Sequence, residues 1–123
     1  MKDLCENCAR RSVCSIHAQL FTRFFLTERG LASNDADVYV GNRPGTQDDT
    51  DIRHLHEANG HCVRALYFYC GIADLAAETG DALLLDNLRD VFTDISRRKM
   101  YLTGGVGSTY RTESFTAAYD LPN

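Results

Sequence analysis

Three places in this 123-residue sequence carry side chains able to do chemistry. The first is Glu113, in the run Thr112-Glu113-Ser114-Phe115. A carboxyl group beside an aromatic ring can hold its proton longer than one in open water and so serve as a general acid. The plain alternative is a solvated charge on a surface loop. The second is His61, which follows Gly60 and lies four residues after Glu57 and three before Arg64. On a helix that spacing puts all three side chains on one face. Polar groups so grouped on an otherwise apolar helix point to a cavity wall, the alternative being a structural histidine. The third is Cys5, Cys8, Cys14 and His17, which have the ligand types of a four-coordinate zinc site. Five residues separate its two halves, against the dozen or more usual in small zinc modules. Incidental thiols on a frayed helix are the competing reading.

The glycines of Gly104-Gly105-Val106-Gly107-Ser108 do not make a phosphate loop. There is no lysine, and a helical pattern precedes them where a strand should be. The dinucleotide fingerprint fails because Tyr110 stands where its third glycine belongs. These glycines fit a sharp turn whose backbone approaches a ligand or a neighbouring helix.

Three helices must position these residues. The first is expected over about Val13 to Glu28, with Val13, Ile16, Leu20, Phe21 and Phe24 on one stripe and Gly30 ending it. A second is expected over Glu57–Thr79. Its face of Ala58, Cys62, Ala65, Leu66, Tyr69, Ala73 and Ala76 is widened by Val63, Tyr67 and Cys70, which suits an inner place in a helical assembly. Gly80 closes it, and Asp81 caps a third helix that buries Leu84, Leu88, Val91, Phe92 and Ile95. Arg97, Arg98 and Lys99 then fall in the last turn, where positive charge complements the helix dipole. Thr79-Gly80-Asp81 is thus the link of a helical hairpin. A long polar loop, Leu31 to Asp51, joins the first two helices; Val38-Tyr39-Val40 is its one strand-like run. The fold class is all-α.

Composition narrows the function. The net charge of −4, with basic residues scattered, offers no footprint for nucleic acid. No apolar run approaches the roughly 20 residues that cross a bilayer, and the amino terminus lacks the apolar centre of a signal peptide. The expected location is cytoplasmic. With five cysteines a complete set of disulfides within one chain is impossible. Cys62 and Cys70, in apolar helical sequence, read as buried thiols. At eight residues apart on one helix, about 12 Å along its axis, they cannot share one metal ion. An ending on Asp120-Leu121-Pro122-Asn123, with no element behind it, reads as a cut through a site being assembled.

The order of motifs is specific. Gly60-His61-Cys62-Val63-Arg64-Ala65-Leu66-Tyr67, Ala73-Asp74-Leu75-Ala76, Thr79-Gly80-Asp81 and the Arg98–Asn123 stretch together resemble glycoside hydrolase family 127, the β-L-arabinofuranosidase group. The resemblance is strong from Arg53 to Asn123, weaker over Leu20 to Gly30, and missing over residues 1–17. It divides the chain into an unmatched cysteine-containing segment, 1–17, and a partial α/α-barrel domain, 18–123.

That resemblance implies a fragment of an (α/α)6 barrel and the retaining hydrolysis of a terminal β-L-arabinofuranoside. In such enzymes a zinc-bound cysteine thiolate attacks, and a glutamate is the acid/base. Carried over by position, Glu113 matches the acid/base of the family's Gly-Glu-Ala-Phe, with Thr112 in place of the glycine. His61 matches a histidine that hydrogen-bonds the sugar. The family's zinc ligands follow Asp-Leu-Pro-Asn, so no zinc is expected in this chain, only in the complete enzyme, and the chain is expected to be inactive alone. The competing expectations are a small helical protein that self-associates through its apolar faces, and a zinc module at Cys5, Cys8, Cys14 and His17.

Overall fold

A computed structural model describes residue 20, residues 22–26, residue 45 and residues 47–122. Residue 20 and residues 22–26 are helical, within the expected first helix. The remainder of that helix, Val38-Tyr39-Val40, and the possible metal ligands Cys5, Cys8, Cys14 and His17 lie outside the described residues.

A single 3₁₀ turn at Ile52–His54 leads through an extended stretch into helix α1, Cys62–Thr79. Gly80 ends α1 in the left-handed conformation at φ 69°, its N–H donating to the Ala76 carbonyl. Asp81 then starts helix α2, Ala82–Asp94, its carboxylate accepting from the Leu83 and Leu84 amides at 3.1 and 3.3 Å. Each signal is local, and each acts as the sequence predicts. A π-helical turn, Ile95–Lys99, follows α2. From Met100 onward the chain is a loop that returns to the helices, with Tyr119 N–H donating to the Arg98 carbonyl at 2.7 Å. Among the described residues there is no strand, only one antiparallel bridge between His61 and Ser114.

The core runs along one stripe of α1, Cys62, Ala65, Tyr69, Ile72 and Ala76, and packs on Leu84, Val91 and Ile95 from the second helix and π turn. Ile52, Leu55 and Phe115 complete it from the flanking loops. The widened apolar face of α1 is not buried: Val63, Leu66, Tyr67 and Cys70 are exposed, so Cys70 is not the buried thiol expected. Phe92 is likewise 71% exposed, because it lies about 100° round the helix from Val91, beyond the face that meets α1. Leu66, Cys70, Ala73, Leu88 and Phe92 border an apolar groove of about 270 Å³ between the two helices.

The start of α1 differs from expectation for a tertiary reason. Glu57 to Gly60 would extend the helix by pattern, but their backbone groups are taken elsewhere. Ala58 N–H donates to Asp94 at 3.0 Å, its carbonyl accepts from Lys99 at 2.6 Å, and the Asn59 carbonyl accepts from the Gln47 amide at 3.1 Å. Gly60 turns at φ 68° and His61 is extended. Glu57, His61 and Arg64 therefore do not share a helix face. Glu57 instead pairs with Lys99 at 2.8 Å, and Arg64 donates to the Gly45 carbonyl at 3.3 Å.

Lys99 is not the exposed, dipole-complementing residue that the sequence suggests. It is 3% exposed and meets Asp94, itself 7% exposed, at 3.0 Å. Buried ion pairs offset their desolvation only with further hydrogen bonds, and Ala58 supplies one to each partner. Asn87 adds a third buried tie, donating to the Ile52 carbonyl at 3.0 Å. These polar side chains of α2 and the π turn hold the 52–60 segment, and so set where α1 begins, at Cys62.

Candidate functional site

His61 and Glu113 meet. The backbone brings them together through the lone bridge, with Cys62 N–H donating to the Glu113 carbonyl at 2.8 Å and Phe115 N–H to the Gly60 carbonyl at 2.9 Å. Across it, His61 Nε2 lies 3.3 Å from Glu113 Oε2. The histidine side chain is mostly buried and the carboxylate is 66% exposed, so the pair has one wall of protein and one face open to a ligand. His61 Nδ1 is buried without a hydrogen-bond partner. An unpartnered buried ring nitrogen costs stability, and that cost is the same whether or not Nε2 meets a ligand.

Glu113 has φ 47°, in the left-handed region where residues other than glycine are uncommon. Such strain clusters where a fold must aim a particular group. The turn that carries it is closed by Thr109, whose carbonyl accepts from Glu113 N–H at 2.9 Å and whose hydroxyl accepts from Ser114 N–H at 2.8 Å. Beyond it, the Ser108 and Thr116 hydroxyls lie 2.6 Å apart and Thr116 donates to the Asp120 carbonyl at 2.7 Å. No sequence pattern marks Thr109, because its importance rests on where the turn folds.

The glycine-rich run does approach a helix. Gly107 has φ 85°, and a Cβ there would fall 2.5 Å from Cys62 Sγ. Its backbone thus lies against the first residue of α1, directly behind the His61–Glu113 contact. Cys62 itself is buried and its thiol is pushed up, first by burial and further by the Glu113 charge, with the Val63 amide opposing. Both burial and the neighbouring carboxylate thus favour the protonated thiol. Among the described residues no group of three or more His, Cys, Asp or Glu is placed to hold a metal ion. The zinc that the resemblance implies for the complete enzyme therefore has no ligand set among the described residues. No helix among them is long and apolar enough to cross a membrane.

Tyr69 is a buried residue of α1 that belongs to the core. Burial pushes its phenol up to about 12; the Asn59 amide opposes this without reaching hydrogen-bond geometry, and the hydroxyl is buried without a partner.

With this geometry in view, the likenesses to known proteins are consistent. The family model described as β-L-arabinofuranosidase, GH127 catalytic domain, matches residues 4–123. A non-reducing end β-L-arabinofuranosidase of Bifidobacterium longum subsp. longum is 43% identical over 72 residues, which are 58% of this chain and 11% of that protein. A crystal structure of a GH127 β-L-arabinofuranosidase from Geobacillus stearothermophilus T6 superimposes with a TM-score of 0.76 at 34% identity, over 85% of this chain and 18% of that one. A second solved GH127 β-arabinofuranosidase gives a TM-score of 0.71 at 37% identity, over 82% of this chain and 15% of the other. The chain therefore spans between 11% and 18% of the length of these three relatives.

Proposed function

Because the chain belongs to the GH127 β-L-arabinofuranosidase catalytic-domain family, whose enzymes have an (α/α)6 barrel, we propose that it forms the acid/base-bearing part of that barrel and acts on terminal β-L-arabinofuranosides. The observation that carries this reading is the His61–Glu113 contact, set on a strained turn and open on one side. Retaining hydrolysis needs one group to attack the anomeric carbon and another to protonate the departing oxygen and then activate water. Glu113 takes the second role, its carboxyl giving a proton to the leaving group and recovering one from water. His61 Nε2 holds the carboxylate in the free chain and turns to a sugar hydroxyl when the sugar is bound. The attacking zinc-thiolate of the family is not assigned to any residue of this chain, and the 123-residue chain is proposed to bind the sugar without turning it over.

Titration with a methyl β-L-arabinofuranoside, followed by NMR, is expected to move the His61 and Glu113 signals, while a nitrophenyl arabinofuranoside stays uncleaved. Sugar that leaves both residues unmoved would refute the binding role. Turnover that Glu113→Gln abolishes would refute the inactivity.

A second reading has its own observation: the 270 Å³ apolar groove beside exposed Phe92. Exposed apolar surface of this kind marks contact sites, and here self-association of the chain is the counterpart proposal. Light scattering that shows a monomer at all concentrations would remove it.

A further inference from the structure

We propose that Thr109 is the positioning residue for Glu113, a role that rests on Glu113 being the acid/base. The orientation of the carboxylate follows from the peptide group between Glu113 and Ser114. Both ends of that peptide are held: its carbonyl accepts from Cys62 N–H at 2.8 Å, and its N–H donates to Thr109 Oγ1 at 2.8 Å. The first tie comes from α1, one residue past His61. The second is a side-chain bond that only a hydroxyl at position 109 supplies. Together they fix ψ of a residue already held at φ 47°, a conformation an L-residue leaves once its neighbours release it.

The hydroxyl is itself aimed. Thr112 Oγ1 lies 2.6 Å from Thr109 Oγ1, and the Ser114 carbonyl lies 3.4 Å away. With one lone pair taking the Ser114 amide, the Thr109 hydroxyl has a partner for its proton and a second donor within reach. Glu113 N–H goes to the Thr109 carbonyl and is indifferent to the side chain. Loss of the hydroxyl therefore releases one end of one peptide and leaves the rest of the bridge intact.

The test compares Thr109→Val, which keeps the shape and loses the hydroxyl, with Thr109→Ser, which keeps the hydroxyl. In the whole chain the readout is the nuclear Overhauser effect between the His61 ring and the Glu113 γ-protons. Valine is expected to shift the equilibrium between the held and the released Glu113 peptide about fivefold toward release, the change in equilibrium constant for one hydrogen bond of ordinary net strength, and so to weaken the effect; serine is expected to retain it. Exchange protection of the Phe115 amide, bonded to the Gly60 carbonyl, is expected to survive in both. An undiminished Overhauser effect in the valine variant, its disappearance in the serine variant, or an unprotected Phe115 amide in the valine variant each overturns the proposal. No sugar enters these measurements, so their failure is separable from failure of the glycosidase reading, which the arabinofuranoside titration decides.

Discussion

Gly107→Ala should damage the site while leaving both of its polar side chains in the sequence. Two costs combine. At φ 85° the backbone sits where an L-residue is disfavoured by roughly 1–2 kcal/mol. The added methyl would also fall 2.5 Å from Cys62 Sγ, 3.3 Å from the Glu113 carbonyl and 3.4 Å from Cys62 Cβ, so something must move. Overpacking of this kind costs about 1–3 kcal/mol. The sum, about 2–5 kcal/mol, is a large share of the 5–15 kcal/mol that usually holds a domain together. Urea unfolding followed by circular dichroism measures it. Cys62→Ala in the same chain removes the sulfur but not the φ penalty, so the double variant is expected to recover about 1 kcal/mol or more of coupling. A Gly107→Ala protein within about 0.5 kcal/mol of the parent, or a double variant showing no coupling, would refute the packing argument.

Three further outcomes are expected. Lys99→Met leaves the buried Asp94 with only the half-exposed Arg98 guanidinium, 4.0 Å away, and chemical unfolding should show a loss of about 3 kcal/mol, together with disturbed NMR signals for Ala58 and His61. Asp81 is held below its ordinary 3.8, chiefly by the Leu84 amide and also by Arg53. Since its folded value is depressed, the stability it lends is present above 3.8 and is lost as pH falls through the folded value; Asp81→Asn should abolish that acid limb in a series of melts. Tyr69 has the opposite sign. Its raised folded value means stability declines as pH climbs from 10 toward about 12, and Tyr69→Phe should flatten this alkaline decline while costing less than about 0.5 kcal/mol at neutral pH, because the hydroxyl has no partner to lose.

The hairpin was legible because its signals are local. Gly80 needs no Cβ to enter the left-handed region, and Asp81 reaches amides two and three residues ahead. The apolar spacing of α2 located Leu84, Val91 and Ile95 correctly, but periodicity alone could not separate them from Phe92, whose exposure depends on where α1 lies. Residue type and motif order pointed to His61 and Glu113 and to the family, yet linked His61 with Glu57 and Arg64 on a helical face that does not exist.

What the chain determines by itself is therefore the helical class, the hairpin with its caps, and which side chains are chemically equipped. What the tertiary structure decides is which of them meet. α1 begins at Cys62 because Asp94, Lys99 and Gln47, distant in sequence, occupy the backbone groups of Ala58 and Asn59. Lys99 is buried because the π turn and the 57–58 segment arrive around it. Glu113 faces His61 because a bridge between remote segments and a threonine hydroxyl hold a strained peptide in place. A short-range pattern encodes geometry only over the few residues a hydrogen-bonded turn spans, and long-range hydrogen bonds between loops leave no periodic mark on the sequence.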